Sequence, residues 1–371
     1  MIESYSVFLP SYSVGGNDVY KKIPTLCRPY GTKIAVVGGH KGMAAAKEAL
    51  LAGIAGSDME ILDFIHYGED ATYEAADALM NHPTVQAADM VFAVGGGRAL
   101  DTCKTATDKM NKPLFTFPTI ASNCAPVTLV CIMYNTDHSL NGFYYRKNPP
   151  VHSFINLDII AAAPLEYIWA GIGDAMAKEY EVVFSAKNDA LDHTNLIGVD
   201  LARHCAMPLL TYGVEAYKDA KKKQVTPALK EVVLNIAITA GIISLLIDTE
   251  KYNGAVPHAL YYASTGVASC KGKHLHGEIV GYGCLPQLFL EQRMDDFERL
   301  FTFNRALGLP TSLAEIDIAI GDAAYEQFLD VLMKDVCMAY LPYEVTKEMV
   351  DAAIRGVEAY HEAHPKTNEE E

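Results

Sequence analysis

The sequence predicts an α/β nucleotide-binding domain over residues 1–160 and an all-α domain over residues 161–371. Short β-rich runs alternate with helical patterns in the first 160 residues, and nearly every segment after Pro164 has helical spacing. Strand–helix–strand repetition favours a parallel sheet with crossover helices. The length of 371 residues also exceeds the size at which a single core usually stops growing, so two domains are expected.

The first domain presents its strands and helices in a regular order. Residues 33–39, 59–68 and 88–97 are β-rich, and helical patterns lie near 41–53 and 71–81. Further strands are predicted in the segments PLFTFPT, VTLVCIMYN, GFYYRK and VHSFINLD. Because Asn141-Gly142 lies between β-rich runs and Asn-Gly favours tight turns, residues 134–146 are predicted to form a hairpin that turns at this pair.

The second domain is expected to begin near residues 158–164. Helices are predicted over residues 165–188, 193–218, 226–248, 256–268, 276–292, 295–307, 322–337 and 346–362. The longest apolar stretch, Val232 to Ile247, contains the polar residues Asn235 and Thr239. It is too short and too polar to span a bilayer comfortably, so we predict a buried core helix.

Charge and cysteine usage exclude several classes of function. The net charge of −16 repels phosphate backbones and anionic lipid, so no nucleic-acid or membrane partner is expected. The eight cysteines are scattered without a CxxC pair, which is typical of a reduced compartment. The N-terminal residues MIESYSVFLP lack the pattern of a signal peptide, and a cytoplasmic location is predicted.

A glycine-rich turn follows the third predicted strand. Gly95, Gly96 and Gly97 precede Arg98 at the start of a predicted helix, where backbone N–H groups can approach a pyrophosphate. A tight turn that binds nothing is the alternative, but three successive glycines are more than such a turn needs. The pattern is not the GxGxxG fingerprint, which indicates a different nucleotide-binding geometry.

Asp174, His258 and His276 form a possible metal-binding set. One carboxylate and two imidazoles suit Zn²⁺ or Fe²⁺, and three protein ligands leave a coordination position open for water or substrate. Their spacing alone is weak support, because a single histidine in an apolar helix is more often a hydrogen-bonded core residue.

Four segments together carry a family resemblance: GGGRALDTCK, PTIASNCAPVTLVCIMYN, GIGDAMAK and HGEIVGYG. In this combination and order the chain resembles the glycerol-dehydrogenase branch of the iron-containing alcohol dehydrogenase superfamily, and it is similar to the hydroxycarboxylate dehydrogenases within that branch. The resemblance implies an architecture like that of dehydroquinate synthase, with metal and substrate in a cleft between two domains. It also implies that Asp174, His258 and His276 are the metal ligands. Lys178 stands where longer-chain members carry another histidine, four residues after the aspartate, which favours the three-ligand type.

The resemblance also implies a set of cofactor-binding residues. It places the pyrophosphate of NAD or NADP on Gly96, Gly97 and Arg98, with Asp101 in the first turn of the following helix. Residues matching positions that line the adenine, ribose and nicotinamide are Thr119, Ser122, Thr128, Val130 and Tyr134. The alternative is that these five are strand and turn residues of an ordinary sheet. For Val130 considered by itself, this alternative is the better one.

The chain departs from the glycerol-dehydrogenase pattern at three positions. Cys124 replaces an aspartate that contacts substrate hydroxyls, so a 2-hydroxy or 2-oxo acid becomes as reasonable as glycerol. Gly39 replaces the aspartate that receives the adenine ribose, while His40 and Lys41 add possible partners for a 2′-phosphate; the alternative is that these two begin a solvated helix. Tyr261 replaces a second histidine, which leaves any proton relay unassigned.

The resulting hypothesis is a metal-dependent oxidoreductase that interconverts an alcohol, either a glycerol-like polyol or a 2-hydroxy acid, and its ketone by hydride transfer to NAD or NADP. The metal does the acid–base work, and no side chain is assigned as general base. The alternative is a lyase resembling 3-dehydroquinate synthase, but few arginines in the second domain are available to grip a phosphorylated, carboxylated substrate. A homo-oligomer is expected from the resemblance.

Overall fold

The computed structural model describes residues 6–365 and contains two compact units. The sheet unit comprises Ser6–Tyr167 and Asp219–Leu245, and the helical unit comprises Ile168–Lys218 and residues 246–365. Residues 219–245 thus group with the sheet unit, whereas the sequence places them with the second domain. One reason is the packing of Gly241, where an added Cβ would lie 2.3 Å from Val127 Cγ2.

The predicted parallel sheet is confirmed. Its six strands run in the order β1-β8-β5-β4-β2-β3, every neighbouring pair is parallel, and β6 and β7 form a separate antiparallel hairpin. The strands are β1 (Tyr12–Gly15), β2 (Lys33–Gly38), β3 (Glu60–His66), β4 (Met90–Gly95), β5 (Leu114–Pro118), β6 (Val130–Tyr134), β7 (Leu140–Tyr145) and β8 (His152–Asn156). Strand β1 was not predicted from the sequence.

Helices cover both faces of this sheet, which explains why its central strands are continuous apolar runs. Along β2, Ile34 and Val36 join one buried cluster with Leu50, while Ala35 and Val37 join the opposite cluster. Side chains of a strand alternate between faces, so one strand supplies both clusters. The α-helices within residues 6–164 are α1 (Ile23–Cys27), α2 (His40–Ile54), α3 (Tyr73–Met80), α4 (Pro83–Ala87), α5 (Gly97–Lys109) and α6 (Leu157–Ala162).

The hairpin is present, but its predicted turn is wrong. Asn141 and Gly142 lie inside β7, where Gly142 pairs with Met133 of β6. The chain instead turns between Asn135 and Ser139, whose backbone N–H···O bond measures 2.8 Å. His138 in this turn has a φ of 68°, which few non-glycine residues adopt. A hydrogen bond from its ring to Asp70 holds it there, and such a long-range contact leaves no local signal in the sequence.

The rest of the chain is helical, as predicted. The helices are α7 (Leu165–Ser185), α8 (His193–Ala202), α9 (Ala206–Lys221), α10 (Pro227–Leu234), α11 (Ala240–Leu246), α12 (Thr249–Tyr252), α13 (Val256–Ser264), α14 (His276–Leu290), α15 (Met294–Leu307), α16 (Ala323–Leu332) and α17 (Lys347–Ala363). The single helix predicted over 193–218 is two helices. A π-helical turn, Asn235–Thr239, joins α10 to α11.

One helix among the described residues, Pro227–Leu246, is long and apolar enough to cross a membrane by length and composition. Of its most apolar window, 67 % is buried inside the structure. A buried core helix satisfies the same criterion, and this one packs through Gly241 on the segment that contains Cys124 and Val127.

Candidate functional site

Two glycines bring helices α7 and α14 together at the proposed metal ligands. A Cβ added at Gly173 would lie 2.2 Å from the carbonyl oxygen of Gly277, and one added at Gly277 would lie 1.9 Å from the carbonyl oxygen of Ala170. Only glycine allows two backbones to approach this closely. Since Asp174 follows the first glycine and His276 precedes the second, their side chains meet at the helix crossing.

His258, near the start of α13, completes the group. The Nε2 atom of His276 lies 3.0 Å from Asp174 Oδ1, and the Nε2 atom of His258 lies 3.8 Å from the same oxygen. One ligand atom from each of the three residues lies within 4.8 Å of the others. Ligands about 2.1 Å from an ion at tetrahedral angles are separated by roughly 3.4 Å. The three residues therefore fit a divalent cation.

Glu181 orients the imidazole of His258. Its carboxylate is 1 % exposed, and Oε2 accepts a 2.7 Å hydrogen bond from His258 Nδ1. Oε1 accepts from the backbone N–H groups of Ala255 and His258 at 2.8 and 3.1 Å. With Nδ1 committed as a donor, Nε2 is the nitrogen presented to Asp174. This carboxylate–imidazole arrangement is how proteins fix the tautomer of a metal-binding histidine.

Burial and charge act in opposite directions on these groups. Burial lowers the pKa of His258, but contacts with Glu181 and Asp174 outweigh burial and the pKa is raised. Burial raises the pKa of Asp174, but the hydrogen bond and charge of His276 outweigh burial and the pKa is lowered. These opposite shifts reflect the attraction between the carboxylate of Asp174 and the imidazole rings beside it.

Two further residues border this group. Lys178 lies one turn after Asp174 on α7, is buried, and its ammonium group donates to the side-chain oxygen of Asn253. The ring of Tyr261 meets that of His276 edge-on, with centroids 4.2 Å apart. The position that the resemblance associates with an additional histidine ligand is therefore occupied by a lysine whose ammonium group has its own partner.

The glycine-rich turn lies in the sheet unit, between β4 and α5. Gly95 ends the strand with a φ of 149°, a conformation that favours glycine. Gly96 is the N-cap of α5 and makes no side-chain cap hydrogen bond. The first N–H groups of this helix therefore have no side-chain cap within the described chain, and backbone N–H groups at a helix start suit an anion such as phosphate.

Comparisons with known proteins identify the family of this chain. The family model described as iron-containing alcohol dehydrogenase matches residues 10–156. A glycerol dehydrogenase from Thermotoga maritima is 32 % identical over 73 % of this chain and 75 % of its own length. Hydroxycarboxylate dehydrogenase A from Escherichia coli (strain K12) is 31 % identical over the same shares. The crystal structure of a probable glycerol dehydrogenase from Sinorhizobium meliloti 1021, 22 % identical, covers 97 % of this chain and 100 % of its own with a TM-score of 0.83.

This chain belongs to the iron-containing alcohol dehydrogenase family. It is therefore an enzyme, an oxidoreductase acting on an alcohol or the corresponding carbonyl compound, with a small molecule as its substrate. Membership implies a metal and a nicotinamide dinucleotide.

The cofactor residues implied by resemblance to this family fall into two groups in the structure. The loop after β5 adjoins the glycine turn: a Cβ at Gly97 would lie 2.8 Å from Asn123 Nδ2, and one at Gly42 would lie 3.1 Å from Thr119 Oγ1. Arg98 lies over the Tyr134 ring at 5.5 Å. Gly96, Gly97 and Arg98 lie in the turn and the start of α5, Thr119 and Ser122 lie in the loop after β5, and Tyr134 ends β6. Gly39 is the N-cap of α2, at the same carboxyl edge of the sheet.

The other group surrounds a buried lysine that sequence reasoning missed. Lys104 is fully buried and pairs with Asp101 at 2.8 Å. Its ammonium group also donates to Thr128 Oγ1 at 3.2 Å and to the carbonyl oxygen of Val130 at 2.6 Å. Asp101 accepts from the N–H of Ile132. The side chains of Asp101 and Thr128 therefore face the protein interior, where they join α5 to β6.

Two other residues that contact the candidate site residues were not predicted either. Glu181 comes seven residues after Asp174, so both lie on one face of α7, and an acidic residue at this spacing could have been found from helical periodicity. Asp70 lies in the loop before α3 and contacts Arg98. No sequence pattern indicates that contact, because Asp70 follows β3 and Arg98 follows β4, and only the folded sheet brings them together.

Proposed function

We propose that this oxidoreductase transfers a hydride between the carbinol carbon of a small alcohol and nicotinamide, with a divalent Zn²⁺ or Fe²⁺ ion held by Asp174, His258 and His276. The observation that carries the proposal is the convergence of these three side chains within 4.8 Å. When bound, such an ion supplies Lewis-acid stabilisation for the substrate oxygen as its proton leaves.

The chain's own residues have defined parts in this proposal. Asp174 contributes a negative charge, and the two imidazoles contribute neutral nitrogen ligands. Glu181 holds the His258 ring in the required tautomer. The glycine turn, with Arg98 beside it, binds the diphosphate of the dinucleotide through backbone N–H groups and a guanidinium.

For the substrate, we propose a 2-hydroxy acid and its 2-oxo acid in preference to glycerol. Cys124 is half-buried and replaces a carboxylate that would accept hydrogen bonds from a polyol. A thiol is a weak acceptor, so a triol loses an anchor, whereas the carboxylate of a hydroxy acid is spared repulsion from an aspartate. The Escherichia coli relative named hydroxycarboxylate dehydrogenase supports this class.

For the cofactor, we propose that NADPH is accepted. Gly39 has extended backbone angles, and a Cβ there would meet the Tyr67 ring at 3.5 Å, an ordinary contact. A Cβ is therefore tolerated at position 39, and glycine carries no carboxylate there. The rings of His40 and His66 stack 4.1 Å apart beside this position, and Lys41 follows. These groups can donate to a 2′-phosphate, and no carboxylate at position 39 repels it.

The central test is to remove the metal, restore Zn²⁺ or Fe²⁺, and follow NADH and NADPH absorbance with 2-oxo acids, diols and aldehydes. We expect turnover only in the metal-loaded enzyme, with the highest kcat/KM for a 2-oxo acid. Turnover without metal contradicts the proposal. Tightly bound NAD with no net redox turnover supports the lyase alternative instead.

The cofactor proposal has its own test in two variants at position 39. Gly39→Asp restores a ribose-binding carboxylate, and Gly39→Ala adds the Cβ alone as a matched control. We expect the NADPH-to-NADH ratio of kcat/KM to fall by about a hundredfold in Gly39→Asp, because the carboxylate repels the 2′-phosphate. The alanine variant is expected to retain the wild-type ratio. A wild-type preference for NADH refutes this part of the proposal alone.

We also propose, on the family resemblance, that the enzyme is a cytoplasmic homo-oligomer. Light scattering coupled to size-exclusion chromatography measures the mass of the assembly. A monomer at micromolar concentration contradicts the proposal.

A further inference from the structure

Asp70 is a buried carboxylate in an irregular loop, Gly68–Thr72, between β3 and α3. It is 3 % exposed, although burying a charge is unfavourable unless the charge is paired. The backbone N–H of Ala71 donates to its Oδ1 at 2.8 Å. Its other two partners come from distant parts of the sheet unit: Arg98 on the glycine turn and His138 in the β6–β7 turn.

The side chain of Arg98 is held on two sides, by Asp70 of this loop and by the ring of Tyr134. Its Nε atom lies 3.3 Å from Asp70 Oδ1, and its guanidinium lies 5.5 Å from the centre of the Tyr134 ring. Tyr134 is itself tied to the loop, since its backbone N–H donates to the carbonyl oxygen of Ala71 at 2.8 Å. The Arg98 side chain is still 57 % exposed. The contact with Asp70 uses Nε, which leaves the two terminal nitrogens available for another ligand.

We propose that Asp70 is a positioning residue that, together with Tyr134, orients the Arg98 guanidinium so that its terminal nitrogens face the diphosphate of the dinucleotide. The proposal rests on the dinucleotide function proposed above. A guanidinium has a planar fork of donors that matches phosphate oxygens, but a long exposed side chain must be fixed in place for that match to be effective. Asp70 fixes one edge of the guanidinium and Tyr134 fixes one face.

An opposite effect of Asp70 is possible in principle, and the two effects predict opposite results. A carboxylate beside Arg98 also offsets its positive charge, and if that effect dominated, removing Asp70 would strengthen anion binding. Orientation is the better account, because the carboxylate is buried and shared with His138, whose ring donates at 2.7 Å. A carboxylate with two partners is fixed in position, and Arg98 is fixed with it.

The experiment measures binding of ADP-ribose, which contains the diphosphate but no nicotinamide, to the full-length enzyme by calorimetry. We expect Asp70→Ala to weaken binding by about tenfold, the usual effect of losing a charge-assisted contact. Asp70→Asn retains an acceptor oxygen for Arg98 and is expected to recover part of the loss. Tighter binding in either variant overturns the proposal. Because Asn is nearly isosteric with Asp, the Asn variant also serves if the alanine variant does not fold.

A double-mutant cycle separates positioning from general support of the loop. If Asp70 acts through Arg98, Asp70→Ala causes no further loss in an Arg98→Ala background. Additive losses show that Asp70 only stabilises the loop and overturn the proposal. His138→Ala removes one contact that fixes Asp70 but leaves the carboxylate beside Arg98, so it is expected to weaken ADP-ribose binding by less than Asp70→Ala does; a loss larger than that of Asp70→Ala also overturns the proposal. If the wild-type enzyme binds neither ADP-ribose nor NADH, the proposed dinucleotide function itself fails.

Discussion

The two candidate sites are built from different parts of the polypeptide. In the helical unit, the proposed metal centre consists of side chains, with Asp174, His258 and His276 brought from three helices to within 4.8 Å. In the sheet unit, the glycine turn offers mainly backbone N–H groups at the start of α5, and its glycines matter for the side chains they lack. The proposed metal centre therefore depends on the side chains of its residues, whereas the glycine turn depends on the absence of side chains.

This difference determines how each site can be broken. Removing a side chain should abolish the first site and leave the second intact, whereas adding a methyl group should impair the second and leave the first intact. The two sites also lie in separate units, so a change at one should be readable without a change at the other. Metal affinity reports on the helical unit, and dinucleotide affinity reports on the sheet unit.

The largest effect is expected from the metal ligands. Asp174→Ala and His258→Ala should each lower kcat/KM by more than about a thousandfold. The physical reason is that a Lewis acid lowers the reaction barrier by several kcal/mol. Metal content by mass spectrometry should fall with activity, and the Kd for NADH should change little. Full activity in either variant, or unchanged metal content, refutes the ligand assignment.

The same difference explains what the sequence could predict. The glycine turn was predicted in its correct place because strand, glycines and helix are contiguous, and each is a local signal. Asp174 and His276 lie far apart in sequence, and they meet because Gly173 and Gly277 let two helices touch. Nothing in their spacing shows this contact, so only the family resemblance could group them.

Partners of the site residues divide in the same way. Glu181 shares a helix face with Asp174, and helical periodicity could have identified it. Asp70 and Lys104 act through contacts with Arg98 and Thr128 across the sheet unit, for which the sequence has no pattern. The misplaced hairpin turn has the same cause, because His138 adopts its unusual backbone angles through a bond to Asp70. Element types were predictable, and long-range polar contacts were not.

A smaller loss is expected when the metal ligands remain and only their orientation is disturbed. Glu181→Gln keeps an acceptor oxygen but loses the negative charge beside His258, and metal affinity should fall by about 10-fold to 100-fold. Metal titration followed by calorimetry measures it. Glu358→Gln is a matched control, since Glu358 is a carboxylate of the same unit that accepts from Tyr282 and Leu313 and touches no imidazole. Equal losses in both variants would mean that Glu181 contributes only to stability.

The glycine turn should respond to an added methyl group. Gly97→Ala places a Cβ 2.8 Å from Asn123 Nδ2, a flexible side-chain end that can move, so the free energy of unfolding should change little. The methyl group would still hinder a diphosphate that approaches the backbone, and the Kd for NADH should rise about tenfold. Gly15→Ala is the control, because its Cβ would meet Val19 at an ordinary 3.6 Å. A lower metal affinity in Gly97→Ala would contradict the independence of the two sites.

The smallest effect concerns His152, a histidine of the sheet unit. Its ring contacts serine hydroxyls, whereas the ring of His258 contacts two carboxylates. His152 is 5 % exposed, with Ser11 Oγ 2.6 Å from Nδ1 and Ser13 Oγ 2.9 Å from Nε2. Burial lowers its pKa to about 4. The unfolded chain, with an ordinary pKa of about 6.5, therefore binds more protons between these values, and stability falls as the pH falls.

For this residue alone the loss should be about 1 kcal/mol between pH 6.5 and pH 5.5, with no change above pH 7.5. Urea unfolding of the wild-type protein and of His152→Gln, measured at each pH, isolates the contribution as the difference between the two curves. Parallel curves would show that folding does not shift the pKa of His152. A steeper fall in the wild-type protein shows that the same imidazole chemistry has opposite consequences in the two units, because serine hydroxyls surround one ring and carboxylates surround the other.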